Sequence, residues 1–413
     1  MGRDFTGESK PAERGGITRR RFTLAGLLTL GAASAAGVLS GCSSHDGGSA
    51  ASAGDPQVIN DKSKIVSVIE DYDKAEAQLE PKQTWKLPLG TVLFHTEGSW
   101  AVAMLAPASA QTPNKLGALS LASGKMATLV DAPAQGTGYG FFDARCSDSV
   151  CAWVEMDFAR RVWVLMAQEL SAGRVSGDPV KLDEGDRDYE PARFTVNGSS
   201  VIWLHMPTAT GKRSAENSSC MRWSVGEREG AQLVESQGRF STQPRCAEGI
   251  LTLTPRVLQS KGTYIGMTAY DLTRSEVTKV DQLILPEGVK PFEAVYMNER
   301  FAFSIEAAYD GVGALGKMGT FIGRAGDSYV FLEREPLACP VANGGRYLIK
   351  SQSSHFLIDT DAKTYATLRA PDRCLDFGDY PASEGATTKI LTYATTRNDQ
   401  GIPDAVTARL FSI

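Results

Sequence analysis

FLIDTDAKTYATLRA, residues 356–370, is the stretch that decides the fold. An apolar run, Phe356-Leu357-Ile358, meets the small polar turn Asp361-Ala362-Lys363, and a second run, Tyr365-Ala366-Thr367-Leu368, follows at once. Short β-rich runs bounded by Asp, Asn, Gly and Pro read as strands joined in hairpins. The same strand, turn, strand signature stands at 116–130 (LGALSLASGKMATLV), 162–182 (VWVLMAQELSAGRVSGDPVKL) and 266–285 (GMTAYDLTRSEVTKVDQLIL). Further strand-like runs lie between these, such as VCAWVEM at 150–156, SVIWLHM at 200–206 and RFAFSIEA at 300–307.

Working outward, the recurring unit is an approach strand, a tight turn, a strongly apolar strand, a loop, a third strand, a polar turn and a fourth strand. Unit starts near Val92, Tyr139, Tyr189, Ser241, Phe292, Cys339 and Ala382 are separated by 47, 50, 52, 51, 47 and 43 residues. A period of roughly 45 residues with four strands per unit is the pattern of a β-propeller. The expected fold is therefore all-β, a propeller of seven four-stranded blades over 83–413, with six or eight blades compatible with the same spacing. The last unit runs out after its third strand, TARLFSI at 407–413, while QTWKLP at 83–88 stands unassigned before the first. This N-terminal strand is expected to supply the missing fourth strand, since closure leaves no open edge between the first and last blades. Two packed β-sandwiches are the competing architecture. In its repeat style the region resembles the TolB-type and WD-repeat-like propellers of secreted bacterial proteins, although the Gly-His and Trp-Asp pairs of WD repeats are missing.

Ahead of the repeats, Thr18-Arg19-Arg20-Arg21-Phe22 meets an uncharged run from Thr23 to Gly41. That run, diluted by Gly and Ala, suits the apolar part of a secretory signal better than a spanning helix. Arg19 and Arg20 followed by Phe22 resemble the twin-arginine export signal, and Leu39-Ser40-Gly41-Cys42 resembles a lipobox. The resemblance implies that 1–41 is removed and that Cys42 carries diacylglycerol and further acylation, anchoring the chain to a membrane; stable anchoring needs at least two acyl chains. A plain signal cut after Ala33-Ser34-Ala35 is the other reading. Residues 42–57, rich in Gly, Ser and Ala, have the composition of a flexible tether of r.m.s. length about 20 Å. Ile65, Ile69, Tyr72 and Leu79 fall at near-helical spacing, so 58–82 is expected to be a short helix or an extended lead-in.

Removing the six basic and three acidic residues of 1–41 leaves a net charge of −8, which does not invite nucleic acid or an anionic lipid surface. Cys146, Cys151, Cys220, Cys246, Cys339 and Cys374 remain after Cys42, an even number in a chain expected to leave the cytosol, and they are candidates for disulfides. Cys146 and Cys151 flank the turn Ser-Asp-Ser-Val and are placed to staple a hairpin. No metal site or cofactor is expected, because the histidines are few and scattered.

Loop lengths locate the expected site. First-to-second turns are short (SDS at 147–149, NGS at 197–199, AEG at 247–249), whereas second-to-third loops are long (207–219, 255–263, 306–319 and 396–406). Long loops on a rigid scaffold are where binding residues usually sit, so the long-loop face is the expected ligand face. On it fall Asp183, Glu184, Asp186, Asp188 and Glu190, acidic enough for a cation or ligand loop. Asn398 to Asp404 resembles a calcium loop without keeping its order of ligands. His95, His205 and His355 stand in or beside strands, where a satisfied histidine is the ordinary outcome, and the tryptophans read as packing between blades.

No nucleophile elbow, zinc-protease, P-loop or dinucleotide motif is present in the sequence. The expected function is non-enzymatic: a lipid-anchored, extracytoplasmic propeller at the cell membrane that binds a protein, peptide or glycan. The alternative is a carbohydrate hydrolase or lyase using paired carboxylates, drawn from Asp183 to Glu190 together with Glu306 or Asp310.

Overall fold

In the computed structural model the described residues are 54–413, apart from 77–78, 108, 110–111, 259–261, 275, 353 and 376–378. The export-signal residues Arg19, Arg20 and Phe22, and Cys42 with most of the tether, lie outside them. The described residues belong to one unit, Ser52–Ile413. Among them no helix is long and apolar enough to cross a membrane.

The strands form seven sheets arranged as a β-propeller. Six are built on strands consecutive in the chain, and their innermost strands are Val92–Thr96, Gly140–Cys146, Arg193–Asn197, Arg245–Ala247, Glu293–Met297 and Val341–Asn343. These lie within a few residues of the unit starts read from the repeat. The seventh sheet is composite, combining Tyr380–Pro381, Lys389–Arg397, Pro403–Ser412 and the N-terminal strand Gln83–Pro88. Gln83–Pro88 pairs antiparallel with Pro403–Ser412, Gln83 opposite Leu410 and Pro88 opposite Ala405, so the expected closure is made.

The count of seven regular four-stranded blades is not met; six, one of the counts the spacing allowed, is what forms. The regular pattern holds for six contiguous blades and breaks in the closing sheet, where the inner segment meets its own sheet through a short ladder at Tyr380 and Pro381 and an isolated bridge between Cys374 and Thr396. Pro381 brings no N–H to the ladder, and Gly385 sits at φ 66°, turning the chain so that Gly385 and Ala386 pair instead with Val341 and Ala342 of the sixth sheet.

Burial follows position within a sheet. Val150–Asp157 is buried at all but Met156, because both its faces pack on neighbouring sheets, whereas the outer strand Arg174–Gly185 is mostly exposed. One apolar cluster lies between each pair of consecutive sheets. Trp153 and Phe141 meet Leu116 of the first sheet, and Trp163 meets Phe194 of the third. Leu87, Leu391 and Ala408 of the closing sheet meet Leu93 and Ala101 of the first, which completes the ring.

The lead-in is mainly extended. Ile65–Ser67 adds a parallel strand to the outer edge of the fifth sheet and Asp73–Lys74 adds one to the sixth, with a single helical turn, Val68–Asp71, between them. Ser67 caps that turn by accepting Glu70 N–H, and Val68 is fully buried. The open N–H and C=O groups of a sheet edge offer more partners than so short a helix can supply for itself, so the weak helical spacing loses.

Candidate functional site

Four inner segments deliver charged side chains to the propeller axis. Arg145 ends the second inner strand, Arg245 begins the fourth, Glu293 begins the fifth, and Glu384 precedes the Gly385 turn. Arg245 donates Nε and Nη2 to Glu293 at 2.8–3.1 Å and Nη1 to Glu384, which also accepts Arg145 Nη1 at 2.7 Å. Arg245 is 2 % and Arg145 5 % exposed, so this is a buried plug of two cations and two anions joining the second, fourth, fifth and seventh sheets. Burial works against the Arg245 charge, but Glu293 and Glu384 hold its pKa well above the ordinary guanidinium value. Removing one partner of such a network leaves an uncompensated charge and costs about 3–5 kcal/mol.

Above the plug lies a cavity of about 300 Å³, with His95, Glu97, Asn197, Arg245, Glu248 and Glu384 in its wall. Its rim is made of first-to-second turns, so it opens on the short-turn face. A second cavity, of about 330 Å³ between Asn298, Arg324, Gly344 and Asp361, is rimmed by short turns as well. The face with long loops was the expected ligand face; the two cavities lie on the other. Loop length is a measure of available chain, and here 207–217 is tied to Asp188 and Tyr189, and 306–318 to Ile59 of the lead-in and to itself.

The rim is tied from turn to turn. Asp148 accepts Ser99 N–H at 2.8 Å, Glu97 accepts Gly198 N–H at 3.1 Å and Glu248 accepts Asn298 N–H at 2.9 Å. Asn298 Nδ2 then donates to the Gly344 carbonyl at 2.8 Å, and Asn343 Nδ2 to the Ile413 carbonyl at 2.6 Å. Burial, with Asp148 nearby, pushes the Glu97 carboxyl up to about 7. His95 lines the cavity with Nδ1 3.2 Å from the Cys146 carbonyl. Burial, followed by the Arg145 charge, holds its pKa down to about 3, so the ring is neutral; with Nδ1 donating, the lone pair is on Nε2.

The acidic loop of the sequence is dispersed. Asp183 accepts Trp203 Nε1 at 3.0 Å and lies 2.9 Å from His205 Nδ1, and this hydrogen bond raises the His205 pKa. Glu184 pairs with Lys181 at 3.1 Å, Asp186 accepts Asp188 N–H at 2.9 Å, and Glu190 bridges Arg193 and Arg239. Asp183, Glu184, Asp186 and Glu190 thus each have a protein partner of their own, and among the described residues no group of three or more His, Cys, Asp or Glu is placed to hold a metal ion. Asn398 likewise spends its side-chain oxygen on Gln400 and Ile402 N–H, at 3.0 Å each, while Asp399 pairs with Arg373. Glu306 is raised by burial and by Glu335, the carboxylate that lies near it.

The cysteine expectation is corrected. Cys146, Cys151, Cys220, Cys246 and Cys374 are free thiols. Cys146 and Cys151 do stand opposite one another across the hairpin, but Cys146 Sγ is directed to the Trp100 carbonyl at 3.5 Å. Cys146 and Cys151 share one apolar cluster while Cys220 and Cys339 lie in two others, all as small hydrophobes, so an even count did not mean pairing.

The axial residues were not singled out from sequence. One signal was there: Arg145-Cys146 and Arg245-Cys246 each put an arginine into an inner strand 100 residues apart, with Asp148 and Glu248 at matching places in the turns that follow.

A further buried cluster fastens the sixth sheet to the closing one. His355 Nε2 lies 3.0 Å from Asp379 Oδ1, and Asp379 Oδ2 accepts Arg409 Nη2 at 2.5 Å. Burial alone would raise the Asp379 carboxyl, but His355 and Arg409 hold it well below the carboxylate range. Beside it, burial brings Lys350 down to about 8 while Nζ donates to the Gln352 carbonyl at 2.7 Å.

No family model and no curated protein matches the chain. Among solved structures it is similar to a prolyl endopeptidase (TM-score 0.51, 13 % identity, covering 78 % of this chain and 50 % of that one). It is similar to the β-propeller domain of the trilobed protease from Pyrococcus furiosus, described as having an open velcro topology (TM-score 0.50, 10 % identity, 79 % and 97 % covered). It is also similar to prolyl oligopeptidase B from Galerina marginata (TM-score 0.50, 12 % identity, 75 % and 47 % covered). The chain thus spans about half the length of the prolyl endopeptidase and of the prolyl oligopeptidase, and at such identities the likeness shows the propeller fold alone.

Proposed function

We propose that this protein is an extracytoplasmic binding propeller, exported by the twin-arginine route and held at the cell membrane by acylated Cys42, which takes a small polar ligand or one residue of a peptide into its axial cavity. The observation that carries the reading is the plug. Arg145, Arg245, Glu293 and Glu384 neutralise one another across the axis, and beside them lies a polar recess on a rigid rim. A recess of this size with several convergent polar groups is suited to binding. The hydrolase reading draws less support, because Asp183 and Glu190 are each committed to neighbouring side chains and Glu306 lies by Glu335 instead.

The test is a thermal-shift screen of amino acids, short peptides, polyamines and sugars against the wild type and Asn197→Trp, which fills the cavity wall. A ligand at a hundred times its Kd stabilises by about 2.7 kcal/mol. The expected result is a rise in Tm that disappears in Asn197→Trp; a rise of equal size in both proteins rules the cavity out. In the same work, detergent-extracted wild type should carry a lipid mass on Cys42, and Cys42→Ala should leave the membrane fraction. An unmodified chain cut near Ala35 defeats the anchoring part of the proposal.

A further inference from the structure

The chemistry of the axial cavity wall is one-sided. Arg245, the one guanidinium among the described wall residues, is already shared between Glu293 and Glu384. An incoming anion would have to compete with two carboxylates in direct contact with it. Acceptors, by contrast, are in surplus. Glu97 gives one oxygen to Gly198 N–H and Glu248 one to Asn298 N–H, and the second oxygen of each takes no hydrogen bond from the described protein. His95 is 5 % exposed and lines the cavity. Its Nδ1 serves the Cys146 carbonyl, so Nε2 keeps a lone pair that no described group satisfies. That lone pair is open to an N–H brought by a ligand in the cavity. The plug beneath is charge-balanced, so the charge facing the recess is that of Glu97 and Glu248.

We infer that the cavity receives a primary ammonium or guanidinium group, with Glu97 and Glu248 as its counter-charges and His95 Nε2 as a neutral acceptor. This rests on the axial cavity being the binding site. The volume, about 300 Å³, suits a group of one amino-acid's size. The same chemistry is offered by a free small amine and by a basic residue of a peptide, and both sources enter the experiment. Because burial pushes the Glu97 carboxyl up to about 7, it is part protonated at neutral pH, so cation binding draws that proton off and strengthens as pH rises.

The experiment is isothermal titration calorimetry on the full chain at pH 8 and pH 6. The probes are argininamide, putrescine and the tripeptide Arg-Ala-Ala, with acetate as the anion; Glu97→Gln/Glu248→Gln and Asn197→Trp are the variants, each confirmed folded by near-UV circular dichroism. The expected result is binding of at least one amine at pH 8, severalfold weaker at pH 6, at least tenfold weaker in the Glu97→Gln/Glu248→Gln protein and abolished in Asn197→Trp. Tighter binding of the tripeptide than of argininamide assigns the site to a peptide residue, and the reverse order to a free amine. Acetate binding that Asn197→Trp abolishes keeps the cavity as the site and overturns the cationic ligand. Amine binding unchanged in both variants, or no amine binding at all, also overturns it, while the thermal-shift screen decides separately whether the cavity binds anything.

Discussion

Glu97 shows how one side chain reports on the fold around it. Its carboxyl is ordinary at 4.5 and about 7 here, with burial as the main cause. A raised folded-state pKa means stability that is fully present below the ordinary value and lost as pH rises through the folded one. The wild type should therefore lose stability between pH 5 and pH 8 on account of Glu97, and Glu97→Gln, whose amide oxygen can still accept Gly198 N–H, should not. Urea midpoints of the two proteins at both pH values check this: a gap in favour of the variant is expected at pH 8 and little difference at pH 5. Parallel pH profiles would show that Glu97 titrates as a surface carboxylate. No pattern in the sequence announces the shift, because Glu97 and Gly198 are two units apart in the chain and meet only where the turns converge.

At the scale of elements, the closing strand Gln83–Pro88 and the lead-in before it do the work of edge protection. Ile65–Ser67, Asp73–Lys74 and Gln83–Pro88 cover the outer edges of the fifth, sixth and closing sheets in turn. The closing strand could be read from sequence, since the last unit visibly lacked a fourth strand and QTWKLP stood without a sheet. The two lead-in strands could not, because strands of two or three residues carry no period to read and exist only where an edge is waiting for them. Leu87 is 5 % exposed, between the closing and first sheets. Leu87→Ala should cost about 2–5 kcal/mol, measured as a lower urea midpoint together with faster proteolysis of the N-terminal segment. A cost below about 0.5 kcal/mol, the usual range for surface substitutions, would mean that the ring does not depend on this strand for closure.

For the molecule as a whole, stability comes from a closed ring of interfaces rather than from cross-links. Cys146, Cys151, Cys220, Cys246 and Cys374 are free thiols, and burial pushes Cys151 up to about 12 and Cys146 and Cys220 well above the usual thiol range. Intact mass should therefore be unchanged by reductant, and Cys146, Cys151, Cys220 and Cys339 should react with a thiol reagent only after unfolding. A gain of two hydrogens on reduction would reveal one disulfide and contradict the free thiols. What the sequence determined by itself is the periodic part of the protein: strand identity, the repeat length, the propeller and its closure. These follow from apolar alternation and turn chemistry that neighbouring residues carry locally. What only the tertiary structure decided is the composite closing sheet, the free thiols, the dispersal of the acidic loop among separate partners and the face on which the cavity opens. Each of these depends on which side chains from distant units reach the same few ångströms of space. The axial plug is the plainest case: Arg145, Arg245, Glu293 and Glu384 are ordinary charged residues in the chain, and become a site only because the ring closes around them.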